Sequence, residues 1–189
     1  MSNIFIAVIW FVYFLGFLII KLAVEPKNNT MAIPTTARFK LLTAILIVLH
    51  SIIYVFYIGK IGIFEKNILI YPFLFILGAV LMIGGLTLSL VAYYQLKTSD
   101  VDLLEISLGI FKKVRWPIQS SLIMLWFGMA LIYNNRFGLL TGIAFLIPVL
   151  YLQTKLEERH FAKIADEKGL GEKYRNYIKN SWLMLPWFK

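Results

Sequence analysis

From Ile68 to Leu96 this chain carries no Asp, Glu, Lys or Arg, and four further apolar stretches hold a single such residue between them, Lys21. Few soluble folds accommodate an uncharged run of that length. In a bilayer it closes its own backbone hydrogen bonds as a helix and needs no polar partner. The runs are 4–24, 41–58, 68–96, 118–133 and 137–154; Lys21, near the end of the first, is close enough to the headgroups to snorkel. Composition agrees, since only 15% of the 189 residues are charged, against about 25% in soluble domains. The expectation is an all-α integral membrane protein, one membrane domain over 1–189, with five transmembrane helices and a cytoplasmic helical tail from 155 to 189. The start, Met-Ser-Asn, has no basic region, so no cleaved leader is expected.

Charge sets the orientation. With Lys21 counted in, the loop after the first run, the loop after the third and the tail together hold 16 Lys and Arg, and the other two loops hold 3. Basic residues accumulate on the cytoplasmic side, so the N-terminus is expected outside and the C-terminus inside. The net charge of +9 is thereby explained by topology and an anionic leaflet rather than by nucleic acid. No span holds an acidic residue, which disfavours proton-coupled transport. His50 is the one imidazole inside a span, and the plain reading is a hydrogen bond between helices.

Local signals divide the rest. In the third run, Gly78, Ala79, Gly84, Gly85, Ser89 and Ala92 suit close helix packing better than a cofactor site. Ser99 to Asp102 can cap a short helix that Gly109 would end, with Leu103, Leu104, Ile106 and Leu108 on the membrane surface. Pro117 fits the first turn of the fourth span. Pro148 should bend the fifth by leaving the carbonyl of Ala144 without its helical partner. Beyond it the helix continues into the tail, breaks near Gly169-Leu-Gly171 and resumes through Tyr174, Tyr177 and Ile178. The aromatic stretch from Trp182 to Phe188 is expected in the interface.

The chemistry should lie at the cytoplasmic boundary, where Glu157 and Glu158 end the fifth apolar run. Their plain reading is a solvated helix exit with Lys155 and Arg159 as partners. The chain has no cysteine, no nucleophile elbow and no phosphate-binding glycine loop. Neither histidine has a second ligand at metal spacing, so no metal is expected.

The order Gly109-Ile-Phe-Lys-Lys-Val-Arg-Trp-Pro117, a helical hairpin, Glu157-Glu158, Gly171-Glu-Lys-Tyr-Arg-Asn-Tyr177 and a closing Leu-Pro186 resembles the isoprenylcysteine carboxyl methyltransferase and phospholipid methyltransferase superfamily. The resemblance covers about the last half of the chain. It implies S-adenosylmethionine as cofactor and a lipophilic methyl acceptor arriving from the bilayer. By position it makes Gly109, Phe111, Arg115, Trp116, Glu157 and Glu158 the cofactor-binding residues, with Arg115 and Glu158 carrying the catalytic role. Trp116 stands where the family has His, Phe111 and Gln119 where it has Tyr, and Leu170 where it has Phe. Those departures motivate an alternative, a catalytically silent scaffold or binding protein of the same fold. A third reading, a lipid carrier, predicts a lateral cavity without a cation-binding end.

Overall fold

In a computed structural model of the chain, the residues described are 45, 48, 49, 52, 72–98, 109–133 and 135–184, the side chains of 96–98 excepted. Packing divides the chain into two compact units, Met1–Ala32 with Ala44–Leu69, and Ile33–Thr43 with Ile70–Lys189. Nearly all the described residues belong to the second. The expected span 4–24, all of 41–58 but residues 45, 48, 49 and 52, His50 and the surface helix over 99–108 lie outside the described residues.

Helix α1 runs Pro72–Thr98. A 3-10 turn, Gly109–Lys112, precedes α2, Pro117–Ile132. The long helix α3 is Arg136–Glu167, and α4 is Gly171–Asn180. By length and composition Pro72–Gln95 and Arg136–Glu167 can each cross a bilayer, and Pro117–Ile132 is apolar but shorter. The outer face of α1 is apolar too, with Phe73, Ile76, Val80, Ile83 and Leu90 exposed. Such a helix, apolar on all sides, suits lipid.

The glycines of α1 make its contact with α2. A Cβ on Gly78 would lie 2.7 Å from the Gly128 carbonyl oxygen, and one on Gly128 would lie 2.8 Å from that of Gly78. Further along, Gly85 meets Leu125 and the Ser121 carbonyl. The pairing of rising with falling numbers makes the two helices antiparallel. Backbone lies against backbone, which only residues without a side chain allow. Ser89 and Ala92 are buried, so the stripe serves packing, as the spacing predicts.

Helix α2 begins with Pro117, where the missing N–H has no helical partner to lose. At the other end Asn135 caps α3: its Oδ1 accepts from the Gly138 N–H at 3.0 Å. Trp126 Nε1 reaches across to the Gly138 carbonyl at 2.9 Å, tying the hairpin together. The disturbance expected at Pro148 appears as a π-helical turn over Gly142–Leu146, in which the Ile147 N–H reaches back to the Gly142 carbonyl. Proline offers no N–H and its ring crowds the preceding turn, and a widened turn absorbs both.

Helix α3 passes the expected boundary at residue 154 without a break and ends in a Schellman turn. Gly169 has φ +73, its N–H bonds to the Asp166 carbonyl, and the Leu170 N–H bonds to that of Ala165. The chain reverses there, and α4 packs back along α3 with Tyr174 against Ala165, supported by Phe161, Ile164, Leu170 and Ile178.

After α4, Ser181–Met184 crosses the segment that precedes α2. Val114 and Trp182 pair in parallel; the Trp182 N–H bonds to the Lys113 carbonyl at 2.8 Å, and Arg115 and Trp116 N–H groups bond to those of Trp182 and Leu183 at 2.9 and 3.0 Å. Ser120 Oγ donates to the Met184 carbonyl. The expectation that Trp182 to Phe188 rests in the membrane interface is corrected at Leu183 and Met184, while Trp182 stays exposed. Leu183 and Met184 are buried inside the protein, because these four hydrogen bonds draw the segment inward; residues 185–189 lie outside the described part.

Candidate functional site

The segment before α2 and the C-terminal half of α3 meet in one ion pair. Arg115 Nε donates to Glu158 Oε1 at 2.5 Å, and both side chains are nearly closed to solvent, 2% and 8% exposed. Glu158 Oε2 takes a second cation, Lys155, at 3.2 Å. Glu157 is buried as well, and its Oε1 accepts from Gln153 Nε2 at 3.0 Å, one turn back on the same helix. The solvated helix exit therefore does not exist: the carboxylates face protein. Only Lys155 of that plain reading survives, as a partner of Glu158.

The guanidinium of Arg115 is held from its other side by backbone. Nη1 donates to the carbonyls of Ile178 and Ser181, each at 2.6 Å, with Ser181 Oγ at 3.2 Å. Ile178 lies in the last turn of α4, whose carbonyls have no helical N–H to receive and where a cation complements the helix dipole. A carboxylate on one side and these carbonyls on the other account for how a charge can remain buried here.

Two donors are left over. Arg115 Nη2 and Trp116 Nε1 are both sealed from solvent, and among the described residues neither has a hydrogen-bond partner. Trp116 lies against Phe161, ring centroids 6.0 Å apart, one turn beyond Glu158 on α3. The adjacent residues Arg115 and Trp116 thus approach the same helix.

Phe111 is buried against Ala92, and its carbonyl accepts from the Tyr177 hydroxyl at 2.6 Å. Gly109 has φ +57, a conformation that disfavours any side chain, and a Cβ there would run into the amide of Gln95. Gln95 Oε1 in turn accepts from the Ile110 N–H at 3.2 Å. Gly109 and Phe111 consequently shape the wall between α1 and α4, whereas Arg115, Trp116, Glu157 and Glu158 supply the polar atoms.

Tyr174 and Tyr177 join this group, and the sequence reading named neither as a site residue. Burial pushes the Tyr177 phenol up to about 12, with Arg115 opposing and Glu158 adding. The Tyr174 phenol is raised further, by burial first, then by Glu158 and Tyr177, against Arg115. Both stay neutral at physiological pH. The signal for them was present, since positions 174, 177 and 178 share one face of a short helix. The carbonyls of Ile178 and Ser181 left no such signal.

Among the described residues no group of three His, Cys, Asp or Glu could hold a metal ion. Neither a curated protein nor a solved structure gives a significant match to the chain. Residues 73–168, which hold α1, α2, all of α3 and both members of the buried pair, match the family model described as phospholipid methyltransferase. That match spans just over half of the 189 residues, and the chain therefore belongs to the phospholipid methyltransferase family, a family of membrane methyltransferases.

Proposed function

We propose that this protein is an S-adenosylmethionine-dependent methyltransferase that acts at the cytoplasmic face of the membrane on a lipophilic small molecule or a lipid headgroup. The observation that carries the reading is the buried Arg115–Glu158 pair with two unused N–H donors beside it, Arg115 Nη2 and Trp116 Nε1. Native proteins seldom leave such donors without an acceptor.

The residues fit the cofactor's polar groups. Arg115 Nη2 and Trp116 Nε1 suit a carboxylate, for which a guanidinium is a strong partner. Glu157 and Glu158 suit an ammonium, and their negative charge, shielded from water, favours a sulfonium nearby. Gly109 and Phe111 would close the apolar side. When bound, the cofactor supplies an electrophilic methyl group that passes to a lone pair of the acceptor as the carbon–sulfur bond breaks and its electrons return to sulfur.

What the chain contributes is position and dryness. A displacement of this kind needs the nucleophile, carbon and sulfur in line, and holding two reactants so converts a bimolecular step into an intramolecular one. Burial of the pair keeps water from competing. Tyr174 and Tyr177, as neutral phenols, keep further negative charge away from Glu158.

The test is calorimetry of the purified protein with S-adenosylhomocysteine, together with labelled methyl transfer to a lipid extract. Binding that weakens in Glu158→Gln is the expected result. No heat and no change in melting over a wide concentration range would refute the reading.

A further inference from the structure

The family match ends at residue 168, yet part of what holds Arg115 comes from beyond it. The geometry points to Ser181–Met184 as a positioning strap of the candidate site: it sets the guanidinium of Arg115, so strap docking and ligand binding are coupled. This rests on the methyltransferase reading and adds a working part to it.

The strap's contacts serve two ends of one residue. The backbone of Arg115 is fixed by its N–H to the Trp182 carbonyl, flanked by Trp182 N–H to Lys113 and Trp116 N–H to Leu183. Its side chain is fixed by the carbonyls of Ile178 and Ser181 on Nη1. Glu158 takes Nε. With Nε and both N–H groups of Nη1 occupied, the rotation of the guanidinium is set, and Nη2 is the group left for a ligand.

The strap is held down by more than these bonds. Leu183 and Met184 have essentially no exposed surface, Ser120 Oγ anchors the Met184 carbonyl, and Ser181 Oγ donates back to the Tyr177 carbonyl. Undocking would expose two apolar side chains and take the Ser181 carbonyl from Nη1, leaving it that of Ile178 alone. Arg115 would then be free to turn and take Glu158 with two nitrogens, a geometry that guanidinium–carboxylate pairs favour. A ligand that needs the present pose must therefore favour the docked strap, and the docked strap must favour the ligand by the same factor.

The test uses the full chain in lipid nanodiscs with S-adenosylhomocysteine as probe. Amide exchange is followed in wild type at 113–116 and 181–184, with and without saturating probe. Exchange at both segments is expected to slow by about tenfold or more, the effect of one charge-assisted hydrogen bond, while the α1–α2 contact near Gly78 stays unchanged. In Leu183→Ala the probe should bind about tenfold more weakly at temperatures well below melting, and Leu183→Met should restore affinity. A merely structural Leu183 would lower the melting temperature and leave the affinity of the folded protein alone. Should Leu183→Ala fail to fold, the wild-type exchange experiment decides by itself. Probe binding with unchanged exchange at the strap overturns this proposal and leaves the methyltransferase reading standing. No probe binding to wild type overturns both.

Discussion

Glu158→Gln is the sharpest perturbation of the buried pair, because it removes one charge and almost no volume. The acid it replaces is 8% exposed and bonds to an arginine side chain that is 2% exposed. Taking one member from a buried ion pair costs about 3–5 kcal/mol, since the survivor keeps a desolvated charge. Two features place this case near the lower bound. Glutamine retains an oxygen that Arg115 Nε can reach, and the carbonyls of Ile178 and Ser181 continue to receive Nη1. A loss of about 3 kcal/mol is expected, which for a chain of this length lowers Tm by roughly 6–12 °C. Thermal melts in detergent, followed by tryptophan fluorescence, measure it. Arg115→Met completes a double-mutant cycle, and the double variant should be less destabilised than the sum of the two. Lys155→Ala is the control: its side chain is 31% exposed, so its contact with Glu158 should contribute no more than about 1 kcal/mol. If Glu158→Gln melts within about 0.5 kcal/mol of wild type, as surface substitutions do, the pair is not buried and the site argument fails with it.

Two other outcomes follow from the geometry. Gly78→Ala should cost about 1–3 kcal/mol by pushing α1 from α2, since its Cβ meets the Gly128 carbonyl at 2.7 Å; Gly169→Ala, with φ +73 and nothing within 4 Å, should cost only the conformational term, about 1 kcal/mol, and chemical denaturation of both variants separates the two effects. In alkaline solution the protonated phenols of Tyr174 and Tyr177 favour the folded state, because both pKa values are raised above the ordinary value of 10.0. That stability is complete below pH about 10; the share of Tyr177 is lost as pH rises through about 12 and that of Tyr174 at higher pH still; a Tm that falls above pH about 10, and falls less in Tyr174→Phe with Tyr177→Phe, is the expected result, and a flat profile refutes it.

Much of the fold and some of the site are legible in the residues themselves. The uncharged runs mark α1, α2 and the first part of α3; Pro117 marks a helix start, and Gly169 a helix stop. The alternation of small residues marks the face of α1 that α2 covers. Each of these is a property of a few neighbouring residues, and hydropathy, proline and glycine act over that range whatever the rest of the chain does. The resemblance to a family placed Arg115 and Glu158 in one site, and the structure brings them into contact. Trp116 is legible as to place, but not the unused state of its Nε1.

The remainder was decided in three dimensions. Arg115 and Glu158 stand 43 positions apart, and Arg115 and Ser181 stand 66 apart, so their contacts depend on how the hairpin closes and how α4 returns along α3. The aromatic stretch from Trp182 looks like an interfacial anchor because hydropathy cannot tell lipid from a protein interior. Leu183 and Met184 go inside because backbone hydrogen bonds to 113–116 pull them there. Those bonds, like the carbonyls that grip Arg115, belong to main-chain atoms that every residue type shares. A sequence therefore specifies where a buried charge can be, while the fold alone specifies which backbone oxygens make its burial possible.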